Sequence, residues 1–168
     1  MGMGEPMHNF KSVVESARII SNPLGMDMSP KRITISTVGL TKQIKQLADL
    51  DLGINLAISL HAADDDKRNE IMPINSSLNL EKLKEAVQYF YHETGLSITY
   101  EYLLFNHFND DVVDAKKLAS IVRWVPSKVN IIMYNKVEGV ELQGAKEQRL
   151  NRFMKQLVAQ QVTATVRR

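Results

Sequence analysis

Apolar positions along this chain recur with two alternating periods. KRITIST (31–37) is a short β-branched run, closed by Gly39 and followed by Ile44, Leu47 and Ala48 at helical spacing. INLAISL (54–60) is almost unbroken apolar sequence and predicts a strand buried on both faces. Leu80, Leu83, Ala86, Val87 and Phe90 then trace a helical stripe that stops at Gly95. SITYEYLLF (97–105) predicts the next strand, and Val112, Ala115, Leu118, Ala119 and Val122 its helix, ended by Pro126. KVNIIMY (128–134) predicts a further strand. Leu150, Phe153, Met154, Leu157 and Val158 mark a closing helix, after which TATV starts one more strand. Ahead of all of these, Phe10, Val13, Val14, Ala17 and Ile20 form an amphipathic helix that ends at Asn22-Pro23.

The predicted order is loop–α–β–α–β–α–β–α–β–α–β. Strands alternating with helices of this length imply a parallel sheet. Right-handed crossovers place the helices outside a barrel or on both faces of a doubly wound sheet, and the even rhythm fits a barrel sector better. The expected fold is therefore α/β, a partial TIM-like (β/α) barrel with parallel strands and outer helices. No linker interrupts the rhythm, so residues 1–168 are read as a single domain. Only DDDKRNEIM, between residues 61 and 79, departs from it, as an inserted turn and short helix. Inserts after the C-terminal end of a strand are common seats of function in such folds.

Composition narrows the chemistry. With 44% hydrophobic and 24% charged residues the chain falls among globular proteins, and its net charge of +2 neither demands nor excludes a nucleic-acid partner. No apolar run approaches the roughly 18 residues of a membrane span, and the start has no basic-then-apolar signal. A cytoplasmic location and no membrane partner are the expectations. Cysteine is absent, which removes disulfides, thiolate metal sites and cysteine nucleophiles from this chain. Four scattered histidines, His8, His61, His92 and His107, give no expectation of a metal site either.

In parallel α/β folds ligands bind at the carboxyl ends of the strands. Those ends carry Ser36 and Thr37, Ser59 and His61, Glu101, and Asn135, joined by Gly4 and Glu5 if a strand ends just before MGMGEP. Hydroxyls, an imidazole, an amide and a carboxylate suit a polar, zwitterionic small molecule better than a nucleophilic triad. Each also has a plainer reading. Ser36 caps the following helix, His61 is a hydrogen-bonded histidine at the core rim, Asn135-Lys136 is a turn, and Glu101 is an ion-pair partner inside the barrel. Asp64-Asp65-Asp66 resembles a metal motif, but consecutive carboxylates before a helix are more often an N-cap that complements the helix dipole.

The strings MGMGEPMHN, RITISTVGL, LAISLHAADDDKRNEIMPIN, EYLLFNHFND and VNIIMYN, taken in this order, resemble the radical S-adenosylmethionine RNA methyltransferases of the RlmN/Cfr type. GEP alone is weak evidence; SLHAADDDKR followed by PIN in register is specific. The resemblance runs from residue 1 to about 166 and is nearer the RlmN branch. It implies methylation of C2 of an adenine in 23S rRNA, and in tRNA for RlmN-type members. It also implies that S-adenosylmethionine contacts Gly4, Glu5, Ser36, Ser59, Leu60, His61 and Asn135. Glu101 matches a family position without an implied role, and Lys136 replaces the proline usual after the asparagine.

The same resemblance implies a [4Fe–4S] cluster held by a CxxxCxxC loop upstream of GEP, which helps cleave S-adenosylmethionine to a 5′-deoxyadenosyl radical, and a methyl-accepting cysteine in an AACGQL-like tail. A chain without cysteine cannot bind that cluster and holds no catalytic residue or metal ligand of its own. The expectation is the central and C-terminal part of the barrel, inactive alone, whose rRNA and tRNA partners belong to the parent protein. Such a sector exposes a sheet edge through which it would self-associate. The rival is a complete non-catalytic βα domain binding a nucleotide-like ligand or a protein. Lys67, Arg68, Lys136, Arg149 and Arg152 are candidate RNA contacts, although a solvated helix face explains most such charges.

Overall fold

The computed structural model describes residues 4–135 and 141–167; Lys136 lies outside them. A 3-10 turn over Pro6–Asn9 leads into α1 (Phe10–Ser21), which buries Val14 and Ala17. Then follow β1 (Thr34–Thr37), α2 (Thr41–Asp49), β2 (Asn55–Ser59), α3 (Asp65–Ile71), α4 (Leu80–Thr94), β3 (Ile98–Leu104), α5 (Val112–Val122), β4 (Ser127–Met133), α6 (Glu147–Ala159) and β5 (Ala164–Arg167). The order matches the expected alternation. The first strand is shorter than KRITIST because Pro30–Arg32 form a 3-10 turn, a conformation that the fixed φ of proline favours at its first position.

The five strands form one parallel sheet in the order β1-β2-β3-β4-β5. Sequential parallel neighbours joined by crossovers of one hand place their helices on one side, which is the geometry of a barrel sector. Its helix side is apolar. Leu56 and Ile58 of β2, Ile98, Tyr100, Tyr102 and Leu104 of β3, and Val129 and Ile131 of β4 are closed to solvent and meet Leu83, Phe90, Leu118 and Phe153 from the helices. Tyr102 and Phe153 stack with ring centroids 5.6 Å apart.

The other face is different. β2 is not uniformly apolar on both sides: Asn55 and Ser59 are only half-buried there, and β3 and β4 place Thr99, Glu101, Lys128 and Asn130 on the same side. The apolar run of INLAISL conceals this because Ala57 is small enough to be buried beside polar neighbours.

Local signals end the helices as the side chains dictate. Asp64 accepts from the Lys67 amide at 2.9 Å and caps α3, while Asn79 accepts from the Lys82 amide and caps α4. Gly95 stops α4 in the left-handed region at φ 67°. Ser36 does not cap α2; it lies within β1, and Thr37 Oγ1 instead accepts from the Gly39 amide at 3.1 Å. Gly39 is required by its φ of +109° and by Leu83, whose Cδ1 would stand 3.0 Å from an added Cβ.

Candidate functional site

The polar side of the sheet forms the floor of an open groove of about 960 Å³. Parallel register sets its side chains in rows. Ser36, Ala57, Thr99 and Lys128 are successive neighbours across β1 to β4. Two residues nearer the carboxyl ends, Ser59, Glu101, Asn130 and Thr165 make a second row across β2 to β5. Gly4 and Glu5 close one corner, and Ser12, Val13 and Ser16 of α1 face it from the side.

Of the residues expected to contact a cofactor, Gly4, Glu5, Ser36 and Ser59 line this groove, and Leu60, His61 and Asn135 do not. Glu5 is fixed by the chain itself. Its Oε1 accepts from the Met7 amide at 2.9 Å and its Oε2 from the Val38 amide at 2.8 Å, tying the GEP loop to the end of β1. Each carboxylate oxygen keeps a second lone pair. The Leu60 side chain is in the core, and its amide donates to Glu101 O at 3.0 Å. Leu60 therefore fixes the positions of its neighbours Ser59 and His61. Asn135 is exposed just beyond β4.

His61 occupies the left-handed region at φ 57°, an uncommon conformation for a residue with a Cβ. Its Nδ1 accepts from the Leu103 amide at 3.1 Å, which leaves the proton on Nε2. Burial, and then the charge of Arg68, lower its pKa from 6.5 to about 4, so the ring is neutral at physiological pH. The buried Asn109 holds the surrounding turn: its Nδ2 donates to His61 O and to Leu103 O, each at 2.7 Å, and its Oδ1 accepts from the Phe105 amide.

Beneath both loops lies Arg68, which is 1% exposed. Its Nε donates to Leu60 O at 3.2 Å, its Nη2 to Val38 O at 2.6 Å, and its Nη1 to Asn75 Oδ1. Asn75 in turn donates to Asp65 Oδ1 and Asn69 Oδ1, both at 2.9 Å. The two halves of the SLHAADDDKR…PIN pattern thus form one clamp across the carboxyl ends of β1 and β2. Desolvation lowers the Arg68 pKa to about 10, which leaves it charged at neutral pH.

That burial corrects one expectation: Arg68 is not a free cation for RNA. Lys67 is paired with Asp114 at 2.5 Å and Arg149 with Asp110, while Arg152 is exposed on α6. The acidic run serves the fold. Asp64 caps α3 and accepts from Lys117 Nζ at 2.9 Å, and Asp65 Oδ1 accepts from the Leu80 amide. Among the described residues no three His, Cys, Asp or Glu side chains group to hold a metal ion. The residues of this chain do not fit a [4Fe–4S] cluster, whose irons take thiolates, because cysteine is absent from the sequence.

Glu101 is 4% exposed, and its Oε1 accepts from Asn130 Nδ2 at 2.9 Å. Arg167 Nη1 stands 3.9 Å from the same oxygen, at the limit of an ion pair. Thr99, Lys128 and Asn130 lie inside strands rather than at their carboxyl ends, and Arg167 closes β5, whose end the sequence pattern does not mark; all four line the groove. The signal was available: in KVNIIMY, Lys128 and Asn130 alternate with Val129 and Ile131, the period-2 mark of a strand with one polar face.

No protein-family model matches the chain. A crystal structure of a radical SAM methyltransferase from Sphaerobacter thermophilus superposes with a TM-score of 0.95 at 36% identity, over 99% of this chain and 49% of that one. A domain of the pyruvate-formate lyase-activating enzyme from Bacteroides vulgatus has the same fold, with a TM-score of 0.70 at 14% identity over 97% of its own length. The chain carries the fold of the radical S-adenosylmethionine methyltransferases. Its sequence is similar throughout to RlmN-type proteins: it is 49% identical, over 100% of its length, to the probable dual-specificity RNA methyltransferase RlmN of Salinibacter ruber. It spans about half the length of the curated relatives it matches, 46% in that case.

Proposed function

We propose that this chain supplies the S-adenosylmethionine-cradling part of a radical methyltransferase barrel, and that the whole protein methylates C2 of an adenine in 23S rRNA and in tRNA. The groove carries the proposal: Gly4, Glu5, Ser36 and Ser59 converge there from three separate segments of a chain that aligns throughout with RlmN-type relatives. In this reading Ser36 and Ser59 hydrogen-bond the cofactor. The Glu5 carboxylate, already oriented by two amides, receives its amino end. His61 and Asn135 extend the site from the loops beyond the strands, and Leu60, buried in the core, acts only by fixing the backbone of Ser59 and His61.

When bound to the whole protein, the cluster would supply the electron that cleaves the cofactor. The residues of this chain bind and orient the cofactor; with no thiolate to offer, the chain alone is inactive. Residues 1–168 act as one domain of that barrel, and the parent enzyme works on its RNA in the cytoplasm. No helix among the described residues is long and apolar enough to cross a membrane. β1 and β5 lie at the two edges of the sheet, and Ile19, Leu24 and Met26 are exposed around the end of α1. In this reading the isolated chain self-associates through an exposed sheet edge, and light scattering that reports a stable monomer at all concentrations would refute it.

Calorimetric titration with S-adenosylmethionine tests the binding role. Weak binding that falls about tenfold in Ser59→Ala and in Glu5→Ala is expected, with unfolding midpoints nearly unchanged for Ser59→Ala. Binding indifferent to both changes would instead favour a nucleotide-binding βα domain of another kind. Assembly of a visible-absorbing [4Fe–4S] cluster on this chain alone would overturn the claim that it is inactive by itself.

A further inference from the structure

We propose that Glu101 is the acceptor that recognises a neutral hydrogen-bond donor on the nucleoside of the ligand. The inference rests on the reading that the groove holds a nucleoside-bearing cofactor, and adds to it a residue of the groove floor to which no role has been given. Glu101 is held between Ser59 on β2 and Asn130 on β4. Asn130 occupies Oε1, whereas Oε2 is buried and has no partner among the described residues. A carboxylate has about four acceptor sites, so a side chain this buried with a single hydrogen bond is short of donors.

The groove already supplies positive charge. Arg167 stands 3.9 Å from Oε1, and Lys128 precedes Asn130 by two residues on the same strand face. What is missing is a directed O–H or N–H rather than a further cation. Asn130 is itself fixed, because Thr165 Oγ1 donates to its Oδ1 at 2.7 Å, so the carboxylate rests against a rigid partner. The terminal torsion of glutamate is broad, so a small rotation turns the unpartnered oxygen into the groove while the other keeps Asn130. An adenine nucleoside offers two kinds of neutral donor, its ribose hydroxyls and its exocyclic amine.

The experiment is calorimetric titration of the 168-residue chain and its Glu101→Gln variant. The ligands are S-adenosylhomocysteine, the analogue lacking both ribose hydroxyls, and the analogue lacking the adenine amine. Glutamine can keep the bond from Asn130 but must then turn its amide N–H toward the ligand's donor. The expected result is an affinity for S-adenosylhomocysteine lowered about tenfold in Glu101→Gln, the size of one lost charge-assisted bond, with an unchanged melting midpoint. For the one analogue that lacks the recognised donor, the two proteins bind alike, and that analogue names the ribose or the base as the source. Should Glu101→Gln fold poorly, Glu101→Asp, which withdraws the carboxylate by one methylene, is expected to lose as much. Unchanged affinity in the well-folded variant, or the same penalty with all three ligands, overturns the inference while binding that depends on Ser59 leaves the underlying reading standing. No binding by the unaltered chain overturns both.

Discussion

On the helix side of β3, Ile98, Tyr100, Tyr102 and Leu104 are shut away from solvent within the apolar cluster, where the Tyr102 hydroxyl donates to Asn109 O at 3.0 Å. One residue out of phase on the same strand, Thr99 and Glu101 face a groove shared with Ser59, Lys128 and Asn130. The same backbone thus carries a packed core on one side and an under-satisfied polar surface on the other. The first side answers for stability, since apolar burial and dispersion scale with the area closed off. The second retains polar groups that a core would have eliminated, and groups of that kind mark a place for a ligand. Perturbations on the two sides should separate in kind as well as in size.

The largest loss is expected on the helix side. Phe153→Ala empties the ring that stacks on Tyr102 and should cost about 3–5 kcal/mol of unfolding free energy in denaturant titration. A loss below 1 kcal/mol would mean the helix layer is not the main source of stability. Next comes the clamp between the two sides. Arg68→Met keeps most of the apolar stem but leaves Val38 O and Asn75 Oδ1 without their donor and Leu60 O with the Ala62 amide alone, for an expected loss of about 3 kcal/mol. Arg68→Lys should recover only part of it, because one ammonium cannot reproduce the planar fork. Full recovery by lysine would show that charge, not geometry, holds the loops.

His61 gives a smaller, pH-dependent signature. Its ring titrates near 6.5 in the unfolded chain and near 4 in the folded one. Between those values the unfolded state carries the extra proton, so stability rises with pH through the window and is lost as pH falls. The slope is at most about 1.4 kcal/mol per pH unit, and His61→Asn, which tolerates the left-handed backbone, should flatten it. The smallest effect has the opposite sign. The Tyr100 hydroxyl is buried on the apolar side without a partner among the described residues, and burial raises its pKa. Tyr100→Phe should therefore stabilise the chain by about 1 kcal/mol, whereas a loss of that size would reveal a partner for the hydroxyl.

The alternation of elements was legible because helical and strand periods are averaged over many residues, and errors at single positions do not alter them. SITYEYLLF and KVNIIMY became β3 and β4 with ends shifted by a residue or so. Gly4, Glu5, Ser36 and Ser59 were legible as a group because parallel strands bring their carboxyl ends together. Arg68 was misread. A cation within DDDKRNEIM looks solvated, and only the three-dimensional path of the β1 and β2 loops brings two carbonyls to its guanidinium. Glu101 and Asn130 were harder still, because a carboxylate and an amide on adjacent strands become a pair only through register. Asn109 gave no periodic signal, since its work is to bridge backbone groups from two loops.

The central claim is that the polar side of the sheet, not the helix side, receives the cofactor. Backbone amide chemical shifts of the isotopically labelled chain, followed during titration with S-adenosylhomocysteine, test it most directly. The expected result is a set of perturbed amides confined to the GEP loop, the carboxyl ends of β1 and β2, and the middle of β3 and β4 around Glu101 and Asn130. Perturbations clustered on α4, α5 and α6 instead, or none at saturating ligand, would contradict it.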